Sequence, residues 1–164
     1  MISPSGDKNA VAEAFWRFSL MLYARPGVAA ALIGLQDRAG HNVNLILFGL
    51  WLAAGRGRRL DVAGLARARG AIETLDRRAV LPLRNLRRRL KSDPDLDIQA
   101  LYRRLSALEL AAERRIQARL AASVAGRAGK GSRLALAEAN LRLILGEDYA
   151  SPEGAVLSEA LADL

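Results

Sequence analysis

The chain has 164 residues, 51% of them apolar and 26% charged, with no cysteine and one histidine. That length makes one ordinary domain, and the apolar content suffices for a core. The missing cysteines exclude disulfides, thiolate metal sites and cysteine nucleophiles, and the single histidine removes conventional zinc sites and most catalytic triads. The formal net charge of +8 is uneven: residues 55–91 carry twelve basic and three acidic groups, whereas residues 129–164 carry three and six. Such a basic middle suits an anionic partner, whether nucleic acid, a membrane surface or an acidic protein. Genome composition is the competing source, because only Lys8, Lys91 and Lys130 among the basic residues are lysines.

The N-terminus lacks a basic stretch followed by an apolar one, so no secretory signal is expected. The longest apolar run, 43–54, is shorter than the roughly 20 residues of a membrane span. These features lead to the expectation of a soluble, cytoplasmic protein.

Apolar spacing is helical almost throughout, and no period-two segment bounded by turn residues argues for a strand. A first helix is predicted over 9–24, with Val11, Phe15, Phe18, Leu20 and Leu22 on its apolar face and Trp16 or Tyr23 at the edge. It ends at Arg25-Pro26-Gly27, and Pro26 suits the first turn of a second helix reaching Asp37. A connector over 38–41 leads to Asn42, a good N-cap for a third helix over 43–54. This third helix is apolar nearly all round apart from Asn44 and is expected to be the central buried element.

Gly55 to Arg59 reads as a flexible basic loop, and Asp61 as the cap of a short helix to Arg69, with Gly70 as a separator. From Ala71 to Lys91 a stripe of Ile72, Leu75, Ala79, Leu83, Leu86 and Leu90 faces a partner, and Pro82 is expected to kink this helix. After a turn over 92–95, a long helix over 97–125 is striped by Ile98, Leu101, Leu105, Leu108, Ala112, Ile116, Leu120 and Val124. The short joining loop makes these two an antiparallel hairpin. A glycine-rich break over 126–131 precedes a helix from Ser132 to Leu145, closed by Gly146. Residues 1–8 and 147–164 are expected to be loosely held termini of a single domain spanning 1–164. The predicted class is all-α, a single irregular bundle of about six to seven helices.

The series Phe15-Trp16-Arg17-Phe18-Ser19-Leu20, Tyr23, Pro26-Gly27-Val28, Leu35-Gln36-Asp37, Gly40, Asn42-Val43-Asn44-Leu45 and Leu50-Trp51-Leu52 resembles a proteobacterial family of helical proteins classed as a domain of unknown function. Leu81-Pro82-Leu83-Arg84, Arg87 to Lys91 and Glu109 to Glu113 also look like that pattern, so the resemblance covers roughly 12–120. It departs at His41, where the family commonly carries an acid. The resemblance implies no activity, substrate or cofactor.

The polar knot of Gln36, Asp37, His41, Asn42 and Asn44 lies between two apolar segments, and buried polar groups must find partners. It suits a small polar ligand, with Asp37 and His41 as an acid–base pair. The structural alternative has Asn42 capping a helix, Asp37 accepting backbone N–H groups or pairing with Arg38, and Asn44 bonding a loop carbonyl. Arg84, Arg87, Arg88 and Arg89 form a basic run of the kind that tracks phosphates, yet no nucleic-acid motif or stacking aromatics accompany it. Pairing of Arg84 and Arg88 with Glu109 and Glu113 across the hairpin is the internal alternative, leaving Arg87 and Arg89 for solvent or a partner.

Glu109 and Glu113 lack the further Glu and His ligands of a carboxylate metal site, so neither metal nor cofactor is expected. Gly126 to Ser132 lacks the strand and spacing of a phosphate loop. The aromatics Phe15, Trp16, Phe18 and Tyr23 suit core packing against Leu45, Phe48 and Trp51; the alternative for Trp16 and Tyr23 is a groove for a partner helix. The leading expectation is a non-catalytic binding or adaptor module that meets an acidic macromolecule through residues 55–91, with Arg58 and Arg59 included. The alternative is a small-ligand protein or enzyme centred on the Gln36–Asn44 cluster.

Overall fold

The computed structural model describes residues 4–123 and 126–162. In chain order it forms α1 (Pro4–Tyr23), α2 (Val28–Ala39), α3 (Val43–Arg56), β1 (Arg58–Arg59), α4 (Val62–Leu75), a π turn (Asp76–Val80), α5 (Leu81–Leu90), α6 (Leu96–Ala122), β2 (Arg127–Ala128), α7 (Arg133–Leu145), a 3-10 turn (Gly146–Ala150) and α8 (Pro152–Ala162). This is the all-α bundle that the helical spacing predicts. α3 is its axis: every residue from Val43 to Ala53 is buried, because the helix is apolar on all sides and α1, α2, α6 and α7 surround it. The α7 contact needs Gly49, where a Cβ would lie 2.4 Å from Ile144 Cδ1. Phe15 of α1 stacks on Trp51 with centroids 5.0 Å apart and meets Phe48 at 5.8 Å.

Several local expectations change. Pro26 lies in the turn before α2, not in its first turn, because Gly27 adopts φ +77° and α2 starts at Val28. Gly70 does not separate two helices: α4 runs through it to Leu75. The stripe from Ala71 is interrupted just before Pro82, and the interruption is a π turn. The π turn lets Leu81 N–H reach the Asp76 carbonyl, so α5 begins with the proline in its first turn, where no N–H is required.

The long hairpin forms as predicted, with α5 packed antiparallel on α6. Its apolar stripe is only partly used, however. Ile116 and Leu120 are buried, but Leu101 and Leu108 are exposed, and the buried positions nearer the hairpin tip hold Arg84 and Glu109 instead. α6 ends at Ala122, and the predicted Val124 falls outside the described residues.

The two glycine-rich breaks, read from sequence as loops without strands, pair with each other as an antiparallel two-strand ribbon, Arg58 opposite Ala128 and Arg59 opposite Arg127. Residues 147–162 are not a loose tail. Leu157 and Leu161 are buried, α8 packs along α2, and Arg25 donates to the Ala160 carbonyl. The modest apolar content of this segment is concentrated on one face, and that face suffices. Among the described residues no single helix is long and apolar enough to cross a membrane.

Candidate functional site

The polar knot separates into four structural pairings. Asn42 Oδ1 accepts from Leu45 N–H at 3.2 Å, the N-cap expected of it. Asn44 is buried and accepts from Gln117 Nε2 at 3.0 Å in place of the expected bond to a loop carbonyl, while Gln117 Oε1 accepts from Ser19 Oγ at 3.1 Å. A buried chain of hydrogen bonds thus links α3, α6 and α1. Asp37 pairs with Arg88 of α5 at 2.6 Å instead of capping or pairing with Arg38, and Gln36 donates to Asp37 at 3.4 Å. The hydrogen bond from Arg88 holds the Asp37 carboxyl below its usual range. Arg38 reaches Asp148 at 3.0 Å and Glu153 at 3.2 Å, and His41 Nε2 lies 2.9 Å from Asp148. Asp37 and His41 therefore do not meet as an acid–base pair: each is engaged by a different distant segment.

Beside the knot lies a cleft of about 610 Å³ between the α2–α3 turn, α4 and the π turn, lined by His41, Asn42, Arg69, Glu73 and Asp76. Asp76 is the residue that the sequence reading overlooks. Its Oδ1 is buried without a hydrogen-bond partner, and burial raises its acid above the usual range against the lowering pull of Arg84 and Asn42. An acid one turn beyond Ile72 on an apolar stripe was the available signal. Gln117, beside Ile116, and Asn140, between Ala137 and Leu141, carried the same kind of signal: an amide on a face that must be buried.

The basic run is divided. Arg84 is buried and bonds Glu109 at 3.1 Å and Glu113 at 2.7 Å; Arg87 shares Glu109 as well. Arg87 is thus committed internally, contrary to the expectation that it stays free, and Arg88 pairs with Asp37 rather than with Glu113. Burial works against the Arg84 charge, but Glu113 and Glu109 more than offset it and its pKa rises. Glu113 is itself pushed up by burial, opposed by Arg84. Tyr23 sits against this cluster, where burial and then the Glu113 charge raise its phenol to about 12. Tyr23 is therefore part of the network's wall. Trp16 is half-buried under the Arg114 guanidinium, 5.4 Å from its ring, so neither aromatic opens a bare groove.

Arg67, Arg69, Arg77, Arg78, Arg89 and Lys91 are exposed on α4, the π turn, α5 and the turn that follows, and none forms an ion pair among the described residues. Arg58 and Arg59 stand apart from them on β1.

Fold and site together define a helical bundle cross-linked by buried amide and ionic networks, with a basic outer face on its hairpin. The chain belongs to the family described as Protein of unknown function (DUF2390), which matches residues 14–120, from α1 to nearly the end of α6. No curated protein and no solved structure matches it.

Proposed function

We propose that this protein is a non-catalytic binding module whose α4–α5 face takes an acidic protein surface. The observation that carries this reading is the unequal use of charge along residues 55–91. Arg84, Arg87 and Arg88 are paired within the molecule, whereas Arg67, Arg69, Arg77, Arg78, Arg89 and Lys91 are exposed and form no ion pair among the described residues. The same face exposes Leu81 and Leu86 among those cations. Residues 55–91 contain no aromatic side chain, so single-stranded nucleic acid would find no stacking platform, whereas an acidic protein surface with apolar residues complements both features.

Titration with polyglutamate and with an acidic amphipathic peptide tests this. Reversing Arg77, Arg78 and Arg89 to Glu should abolish binding, and affinity should fall with salt. Reversing Lys8, Arg17 and Arg115, an equal change in net charge on the α1 side, should cost far less. Equal losses from the two triple reversals would show that net charge alone drives the binding and would overturn the assignment of a face.

A further inference from the structure

We propose that the cleft between the β1–β2 ribbon and α7 binds a small amphiphilic anion, an anionic head carried on an apolar chain. The cleft measures about 580 Å³, within the usual range of small-molecule sites, and its lining includes Arg59, Arg127, Lys130, Val62, Ala139 and Leu143. It lies at the N-terminal end of α4 and includes none of the cations assigned to the α4–α5 face, and β2 and α7 lie beyond the residues matched by the family.

Three observations support the assignment. The first is charge. Arg59 and Lys130 have no acidic partner among the described residues. Arg127 is 3.2 Å from Asp61 Oδ2 yet 86% exposed, and Asp61 spends its other oxygen on Gly64 N–H as the cap of α4. One carboxylate therefore faces three cations.

The second is the apolar floor. Val62, 73% exposed at the start of α4, and Leu143, half-buried on α7, line the same cleft as the cations. A chain lying across them would leave water while its head met Arg59 and Lys130.

The third is rigidity. Asn140 is fully buried and fully used: its Oδ1 accepts from Leu60 N–H at 2.7 Å and its Nδ2 donates to the carbonyls of Gly49 at 2.8 Å and Arg58 at 3.1 Å. That amide fixes β1 to α7, and the neighbouring α7 residues Ala139 and Leu143 supply the floor. The ribbon closes through Gly129 N–H to the Gly57 carbonyl at 2.9 Å. It also requires glycine at 126, where φ is +85° and a Cβ would lie 2.7 Å from the Arg59 carbonyl oxygen. The cations are thus mounted on backbone held from both sides, the preorganisation that binding favours.

Equilibrium dialysis of the full chain tests the proposal with decyl phosphate below its micelle concentration, and with inorganic phosphate and decanol as its two halves. One decyl phosphate per chain is expected, held at least about tenfold more tightly than either half. Arg59→Gln with Lys130→Gln should weaken it by about tenfold or more with an unchanged circular dichroism spectrum, and Val62→Asn should weaken decyl phosphate but not inorganic phosphate. The Arg77, Arg78 and Arg89 reversal should leave decyl phosphate binding intact, which separates this site from the proposed protein-binding face. Decyl phosphate bound no better than decanol would overturn the proposal. So would affinity that survives the Arg59 and Lys130 changes, or association only with phosphatidylglycerol vesicles and not with the free amphiphile.

Discussion

Removing the Glu109 carboxylate is the sharpest test of what holds the hairpin together. Its side chain is 8% exposed, and it bonds Arg84, itself 10% exposed, as well as Arg87. In Glu109→Ala the Arg84 Nε–H loses its 3.1 Å acceptor inside the α5–α6 interface, and Arg87 loses its one ion-pair partner among the described residues. Breaking one side of a buried ion pair costs about 3–5 kcal/mol, and the lower end applies here because Arg84 keeps Glu113. For a chain of this size about 3 kcal/mol corresponds to a melting shift of roughly 6–12 °C. Urea and thermal unfolding followed by far-ultraviolet circular dichroism give both numbers. The surface pair Asp37–Arg88 is the internal control: with side chains 46% and 44% exposed, its double-mutant cycle should show only about 0.2–1 kcal/mol. Replacing the cluster outright, Arg84→Met and Arg87→Met with Glu109→Leu and Glu113→Leu, should be tolerated far better than Glu109→Ala alone, since no charge is then stranded. If Glu109→Ala costs no more than the Asp37–Arg88 cycle, the network is solvated and the reasoning from burial fails.

Other outcomes follow from individual contacts. Asn42→Ala should cost about 0.5–2 kcal/mol in thermal melts through loss of the α3 cap, whereas Asp37→Ala, which loses one exposed ion pair, should cost less than about 1 kcal/mol. Asn140→Ala should be the more severe, at about 2 kcal/mol or more, because it leaves Leu60 N–H and two carbonyls without the amide; limited proteolysis should then find the 57–60 segment. Stability against pH should separate two acids of opposite sign. Asp148 is held low by hydrogen bonds from His41 and then Arg38, so its contribution is complete above the ordinary carboxylate range and is lost as pH falls through its folded value; Asp148→Asn should remove that acid sensitivity. Asp76 is raised by burial, so stability declines as pH rises from the ordinary carboxylate range through its folded value, and Asp76→Asn should be more stable than the parent at neutral pH. Urea midpoints measured across pH decide both.

Whatever depends on near neighbours in the chain was legible before folding. Helical spacing set the all-α class, the all-apolar run from Val43 made α3 central, and Asn42, Asp61 and Ser132 announced the caps that they form, because a cap is a bond between residues three apart. The short 92–95 turn likewise fixed the antiparallel hairpin and brought Arg84 to Glu109 and Glu113. Partners far apart in the chain were set by how the helices pack. Arg88 chose Asp37 over Glu113, Arg38 and His41 chose Asp148, and Asn44 met Gln117 seventy-three positions away. A charge or amide on a helix face specifies only that some partner is needed, and helix packing then decides which one arrives within hydrogen-bond range. The β1–β2 ribbon has the same origin: two glycine-rich segments without strand periodicity pair because Asn140, the close approach of Gly126 to the Arg59 carbonyl and the hydrogen bond from Gly129 N–H to Gly57 bring their backbones together.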